Sequence, residues 1–416
     1  MQVSFDFNGV EIVLFIIMFV LFSIQVFYYL YFYRKPLKYL ESEEKGDVPY
    51  TDKQPGVSVI VYAKNDAEHL EAFLPLILSQ NYPDFDVIVV NDGSTDETRD
   101  VVTRLESEYD NLYQTYIPDE ARSLSRKKLA LTVGIKAAKH DIVMLTNANC
   151  APEGSNWLTY MMRNFVEGVD IVAGYAYIDG EGQRKRRYVA YDRLMFTLRY
   201  ISYILLHKTY MAEGYNLAYR KDLFFRNKGF SKHLNLHYGD DDLFINEVAT
   251  ADNTRIELSP ESRMIVHYEN NFKAWRELKL RYDFTSAYLK TNSKTIFGFE
   301  RMTVYLFYIS IVLFFVYGLY YNLLFSAVSF LFWLLRFIVQ VTIYRKSAKR
   351  LSSNKLFFLF PVFDLLQSVI NLYYGEFYQF NLSSCIRQQN SLTAQFVSFS
   401  LSNLANIFYP PNFYNN

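Results

Sequence analysis

Four clusters of side chains in this 416-residue chain carry groups able to grip a charged ligand or move a proton. Lys64, Asn65 and Asp66 follow one β-branched run, Asn91-Asp92-Gly93 follows a second, and Asn147-Ala148-Asn149 follows a third. The fourth is Gly239-Asp240-Asp241-Asp242-Leu243-Phe244. A carboxylate at such a turn can accept from a uracil or guanine N–H and select a base with little buried area. Asp-Gly after a strand is also an ordinary turn with Gly at positive φ, and taken alone that plainer reading leads. Lys127 and Lys128 open a helical stretch, where two cations and a helix N-terminus suit a diphosphate. A solvated helix end explains them equally well. Three adjacent carboxylates repel, which pushes at least one pKa upward. The same acids favour the N-terminus of a helix over Leu243–Ala249, so capping and chemistry coexist there.

These residues need a scaffold that brings them together. The runs Val57–Ala63, Asp86–Val90, Asp141–Leu145 and Asp170–Gly174 alternate with amphipathic stretches, the pattern of an α/β sheet covered by helices. Helices are expected around Ala67–Ser79 and Arg126–Lys139, with Pro83 marking a return toward the sheet. Ser94 and Glu97 read as an S-x-x-E capping box opening another helix. Parallel strands joined by right-handed crossovers place every strand-to-helix turn on one edge. Lys64, Asn65, Asp66, Asp92, Asn147 and Asn149 are therefore candidates for one shared site. No GxGxxG or Walker sequence occurs, which argues against dinucleotide and P-loop readings.

Composition places this block beside a membrane. Aromatic residues make up 18% of the chain, with 36 Tyr and 36 Phe. Ile12 to Tyr33 is uncharged and meets the roughly 20 residues that cross a bilayer as a helix. Asp6 and Glu11 before it, and the lack of a small-residue cleavage site after it, favour an anchor over a signal peptide. Residues 302–344 read as a hairpin turning at Tyr321-Asn322, and 356–374 as a third apolar segment, spanning or re-entrant. Arg34, Lys35 and Lys38, with Arg345, Lys346, Lys349, Arg350 and Lys355, set both flanks on the cytoplasmic side. The expected organisation is an anchor at 10–33, a cytoplasmic domain at 51–290, the hairpin, the third segment, and a tail at 376–416 with no assigned role. A net charge of zero argues against nucleic acid as partner. Cys150 and Cys385 lie in no CxxC or Cys/His cluster, which argues against disulfides and zinc.

The stretches VSVIVYAKNDAEHL (57–70), VIVVNDGSTDET (87–98), SRKKLALTVGIKAAKHDIVMLTNANC (125–150), EGYNLAYRK (213–221) and GDDDLF (239–244) together resemble the family 2 glycosyltransferases, in family order and spacing. The resemblance implies a GT-A fold, a Rossmann-like mixed sheet binding a nucleotide-sugar, with transmembrane helices at either end. It implies donor binding by Asp66, Asp92, Lys127 and Lys128, and a general base at Asp241 taking the acceptor proton in an inverting transfer. Gly214, Asn216 and Asp240 fall at its acceptor side. Trp275, Lys279 and Arg281 match part of a W-x-x-Q-K-x-R segment that closes the donor pocket, with Leu278 in place of Gln. A plain interfacial helix is the alternative for that segment. The departure is Asn147-Ala148-Asn149, where the family carries Asp-Ala-Asp holding Mg²⁺ or Mn²⁺ on the donor diphosphate. Neutral amides leave Asn149 a weakened ligand at best, since hard dications want anionic oxygen.

Two functions follow. One is an inverting hexosyltransferase of the bacterial inner membrane, moving a sugar from a UDP- or GDP-sugar to a lipid-linked or polysaccharide acceptor at the cytoplasmic face. It then relies on other cations, such as the nearby lysines or Arg281. The other is a catalytically impaired relative serving as a binding or scaffold subunit in polysaccharide or glycolipid assembly. A transporter is disfavoured by the scarcity of acids in the apolar tracts, where Asp364 stands alone.

Overall fold

A computed structural model describes residues 7–117, 125–178, 184–268, 271–351 and 360–372. The chain divides into two compact units, Met1–Asp364 and Leu365–Asn416, and of the second only the end of one helix is described. The expected tail at 376–416 lies outside the described residues.

The chain begins with α1 (Gly9–Phe27), a π-helical turn (Tyr28–Tyr33) and α2 (Lys35–Glu44). The chain then runs β1 (Val57–Ala63), α3 (Ala67–Leu78), β2 (Phe85–Asn91), α4 (Thr98–Glu108), β3 (Leu112–Tyr116), α5 (Arg126–Ala137) and β4 (Ile142–Asn147). It continues through β5 (Cys150–Pro152), α6 (Trp157–Met162), β6 (Ile171–Gly174), β7 (Ala176–Ile178), α7 (Arg184–Ile204), β8 (Leu217–Arg220), α8 (Lys221–Arg226) and α9 (Asp242–Val248). It closes with β9 (Thr254–Glu257), β10 (Met264–Val266) and α10 (Asn271–Ser286) before α11 (Thr291–Tyr320), α12 (Leu323–Arg350) and α13 (Phe360–Leu372).

Seven strands form one mixed sheet in the order β3-β2-β1-β4-β8-β6-β9, and β5, β10 and β7 form a small second sheet. β1, β2, β3 and β4 are parallel, with Tyr62 opposite Asn147 and Ala63 opposite Asn91. That register brings the turns after β1, β2 and β4 to one edge. The central strands are buried on both faces, which is why they read as unbroken β-branched runs. Gly134 of α5 has a specific task. A Cβ there would stand 2.7 Å from Ile60 Cγ2 and 2.9 Å from Val90 Cγ2. Only a bare backbone lets α5 lie this close to the sheet.

The Ser94–Glu97 capping box does not form. α4 starts at Thr98, and Glu97 makes no side-chain cap. Ser94 Oγ instead accepts from the Asn65 amide at 2.9 Å, and Asp96 accepts from the amides of Ala67 and Thr98. The hydroxyl serves the neighbouring turn because Asn65, at φ 52, presents its amide there and takes Thr95 N–H on its own Oδ1 at 2.8 Å.

Three helical stretches among the described residues are long and apolar enough to cross a membrane: Gly9–Glu44, Gly298–Tyr320 and Leu323–Arg350. The first runs on past the expected end at 33, and the hairpin arms extend past 302 and 344. Met18, Phe307, Ile311, Phe314 and Phe332 form the packed centre of this bundle. Arg336 is buried and donates to Asp364 at 3.0 Å, so these two buried charges are paired. α7 joins bundle to sheet: Arg199 pairs with Glu300 of α11, and Ser202 Oγ donates to the Phe32 carbonyl in the π turn.

Candidate active site

The sheet edge gathers two acidic poles. The first is Asp92, buried at the tip of β2. Tyr62 OH donates to its Oδ2 at 2.8 Å, Lys64 lies 3.5 Å from the same oxygen, and Arg126 Nε approaches Oδ1 at 2.5 Å. Tyr62 and Lys64 fill Oδ2, whereas Oδ1 holds Arg126 alone and keeps one lone pair for a further donor. Asp66 turns back on its own loop, accepting from Lys64 N–H at 2.9 Å and facing His69 Nδ1 at 3.0 Å.

The second pole is Asp240-Asp241-Asp242, all buried, at the entry to α9. Arg281 of α10 bridges the first two, with one nitrogen 2.7 Å from an oxygen of each. Lys127 holds the other Asp240 oxygen at 3.1 Å. Burial alone would raise the Asp240 pKa, but Arg281 and Lys127 hold it well below the usual carboxylate range. Asp242 goes the other way, pushed up to about 7 by burial and then by the Asp241 charge. Asp241 accepts from Asp242 N–H at 2.8 Å on Oδ1 and from Gly214 N–H at 3.1 Å on Oδ2. One side chain spans the poles: Lys127 pairs with Asp240 and lies over the Tyr62 ring, whose hydroxyl holds Asp92.

Several expected residues do other work. Lys128 is fully buried, and its ammonium donates to the carbonyls of His233, Leu236 and Tyr238 at 2.6 to 2.9 Å. Burial pushes its pKa down to about 8. With all three protons engaged it braces the 233–238 loop, and a diphosphate would have to displace those bonds. Asn216 is a packing hub, donating to the Tyr175 and Ser262 carbonyls and accepting from Trp157 Nε1 at 3.0 Å. Trp275 Nε1 and Lys279 both go to Asp192 of α7, at 2.7 and 3.0 Å. They clamp α10 onto α7, and the buried Trp275 excludes the interfacial alternative for that residue.

Asn149 sits where β4 meets β5. Its Nδ2 donates to the His267 carbonyl at 2.8 Å, while His267 N–H returns to the Asn149 carbonyl at 2.9 Å. Asn147, half-buried, ends β4 two residues earlier. Among the described residues no three His, Cys, Asp or Glu side chains stand together as a metal cage. The His267 bond takes the Asn149 amide nitrogen and not its oxygen, so Asn147 and Asn149 offer a hard dication two neutral carbonyl oxygens, a weaker ligand pair than two carboxylates.

Other partners were not legible in the motifs. Glu213 is buried and accepts from Arg193, Tyr200 and Tyr282. Thr285 Oγ donates to Asp242. The sequence hint for Thr285 is its spacing of one helical turn from Arg281. The hint for Arg126 is its place beside Lys127 at a helix start.

Residues 58–225 match the model of glycosyl transferase family 2. Glycosyltransferase AglE of Haloferax volcanii is 29% identical over 190 residues, covering 44% of this chain and 59% of that protein. Poly-beta-1,6-N-acetyl-D-glucosamine synthase of Staphylococcus aureus is 28% identical over 137 residues, 33% of this chain and 31% of that one. The chain thus spans under two thirds of the length of either relative. Among solved structures, the mannosyltransferase PcManGT from Pyrobaculum calidifontis, in complex with GDP-Man and Mn²⁺, aligns with TM-score 0.47 and 19% identity, over 94% of this chain and 99% of that one.

Proposed function

We propose, from the family 2 glycosyltransferase domain that this chain carries at residues 58–225, that the crevice moves a sugar from a UDP- or GDP-sugar to a lipid-linked or glycan acceptor, with inversion. The observation carrying this is the continuous line of contacts from Asp92 through Tyr62, Lys127 and Asp240 to Arg281 and Asp241. The nucleotide end of the donor lies toward Asp92 and Asp66. Its diphosphate lies at the N-terminus of α5, where backbone amides and the Lys127 and Arg126 side chains favour an anion. Those cations exchange carboxylate partners for phosphate oxygens as the donor enters.

Asp241 is the general base. Two donors occupy its Oδ1 and one its Oδ2, which leaves an Oδ2 lone pair for the acceptor hydroxyl. As the hydroxyl oxygen attacks the anomeric carbon, its proton passes to Asp241 Oδ2 and the nucleoside diphosphate leaves from the opposite face. Arg281, fixed on Asp240 and Asp241, keeps the carboxylates compensated. The membrane helices hold the site at the cytoplasmic face of a bacterial inner membrane, which raises the effective concentration of a lipid acceptor.

A second reading, a nucleotide-binding subunit without turnover, draws on Asn147 and Asn149 in place of anionic ligands. Purified full-length protein in detergent, offered UDP- and GDP-sugars with and without Mg²⁺ or Mn²⁺, separates the two. Transfer predicts acceptor-dependent nucleotide release from one donor. Nucleotide binding without release favours the second reading, and neither binding nor release overturns both.

A further inference from the structure

The loop before β8 contains a buried acid that the transfer chemistry above does not use. Glu213 is 2% exposed. Its Oε1 accepts from Arg193 at 2.6 Å and from Tyr282 OH at 3.2 Å, and its Oε2 accepts from Tyr200 OH at 3.2 Å. Arg193 and Tyr200 belong to α7 and Tyr282 to α10. The peptide that follows Glu213 supplies the Gly214 N–H donated to Asp241 Oδ2 at 3.1 Å. We propose that Glu213 is a positioning residue for the general base: clamped by α7 and α10, it fixes the amide that orients the Asp241 carboxylate. This rests on the transfer reading and on Asp241 as its base.

Three features of the geometry point the same way. The far side of the turn is pinned as well, by Thr146 Oγ donating to the Tyr215 carbonyl at 3.0 Å, so the Gly214 amide is held from both flanks. A Cβ on residue 214 would lie 3.4 Å from Asp241 Cβ, so backbone abuts the carboxylate with no side chain between. Finally, neighbouring residues of one helix reach both partners: Arg281 binds Asp241 and Tyr282 binds Glu213. One turn of α10 therefore sets the carboxylate and the amide that faces it. A buried ion pair adds little net stability over apolar packing, so stability alone is a poor account of one placed a single peptide from the base. Misplacing a reacting group by about 1 Å can cost on the order of a hundredfold in rate.

The test uses the full-length protein in detergent and compares kcat with donor KM. Tyr200→Phe with Tyr282→Phe keeps the ion pair and the ring packing and removes both hydroxyls. Glu213→Gln with Arg193→Met removes both charges, so that neither is left buried alone. Each pair is expected to lower kcat roughly tenfold to a hundredfold while donor KM and affinity for free UDP or GDP stay within about twofold. Unchanged kcat in both pairs, beside an active wild type, overturns the positioning role alone. A fall in nucleotide affinity matching the fall in kcat overturns it too, since general loosening of the fold predicts that. A wild type that turns over none of the donors overturns the transfer reading, and this inference with it.

Discussion

Replacing Asp242 by Asn should make the protein more stable at pH 8 and flatten its stability between pH 5 and 8. The carboxyl is buried, accepts Leu243 N–H at 2.8 Å and accepts from Thr285. Burial, and then the charge on Asp241, raise its pKa from 3.8 to about 7. An acid whose folded pKa lies above its unfolded value binds more protons when folded. Stability is therefore greatest below the unfolded pKa and is lost as pH rises through about 4 to about 7. Roughly three units of difference, at about 1.4 kcal/mol each, put the upper bound of the loss at ~4 kcal/mol. Asn keeps the acceptor for Leu243 N–H and offers a donor to Thr285 Oγ, whose proton can turn to the Arg281 or Tyr282 carbonyl at 3.2 or 3.3 Å. Thermal unfolding of the full-length protein in detergent, followed by tryptophan fluorescence, reads this through Trp157 and Trp275, both buried outside the apolar helices. An Asp242→Asn protein with the wild-type pH slope, or one less stable than wild type at pH 8, refutes the reasoning.

Asp241→Asn should abolish sugar transfer while leaving affinity for free UDP or GDP within a few-fold, measured by initial rates and calorimetry; equal turnover removes Asp241 as base. Asn149→Asp sets a carboxylate oxygen against the His267 carbonyl in place of the 2.8 Å bond, so melting in EDTA should fall by about 1 to 3 kcal/mol equivalent. Added Mn²⁺ should recover part of that loss, and no change in melting means the amide bond contributes nothing. Lys128→Met strands three carbonyls, and about 3 kcal/mol or more of destabilisation is expected, with nucleotide affinity of the folded fraction unchanged. A selective loss of affinity at wild-type stability would return Lys128 to the donor site.

Much of the scaffold was legible because a buried strand writes itself as a short β-branched run. The run at Val57–Ala63 coincides with β1, and the next two lie within two residues of β2 and β4. Since turns follow strands, the placement of Asp66, Asp92, Asn147 and Asn149 on one edge came with them. Polar partnerships were not legible, because they join residues far apart in the chain. Lys128 meets carbonyls more than a hundred residues away, and Trp275 and Lys279 meet Asp192. A motif gives a side chain's type and position; burial and the nearest acceptor decide what it does. Ser94 shows the same on a short scale, since a hydroxyl suited to capping α4 found the Asn65 amide first. The antiparallel β8 between β4 and β6 is four residues long, too short for periodicity to mark its direction.

In the proposed transfer, the turns after β1, β2 and β4 and the Asp240–Asp242 segment bind one nucleotide together. Hydrogen–deuterium exchange of the full-length protein, with and without saturating UDP or GDP, measures this directly. Concurrent protection of peptides spanning 64–66, 92–98, 126–128 and 239–242 is expected. Protection of one of these alone, or only of segments elsewhere in the chain, would contradict it.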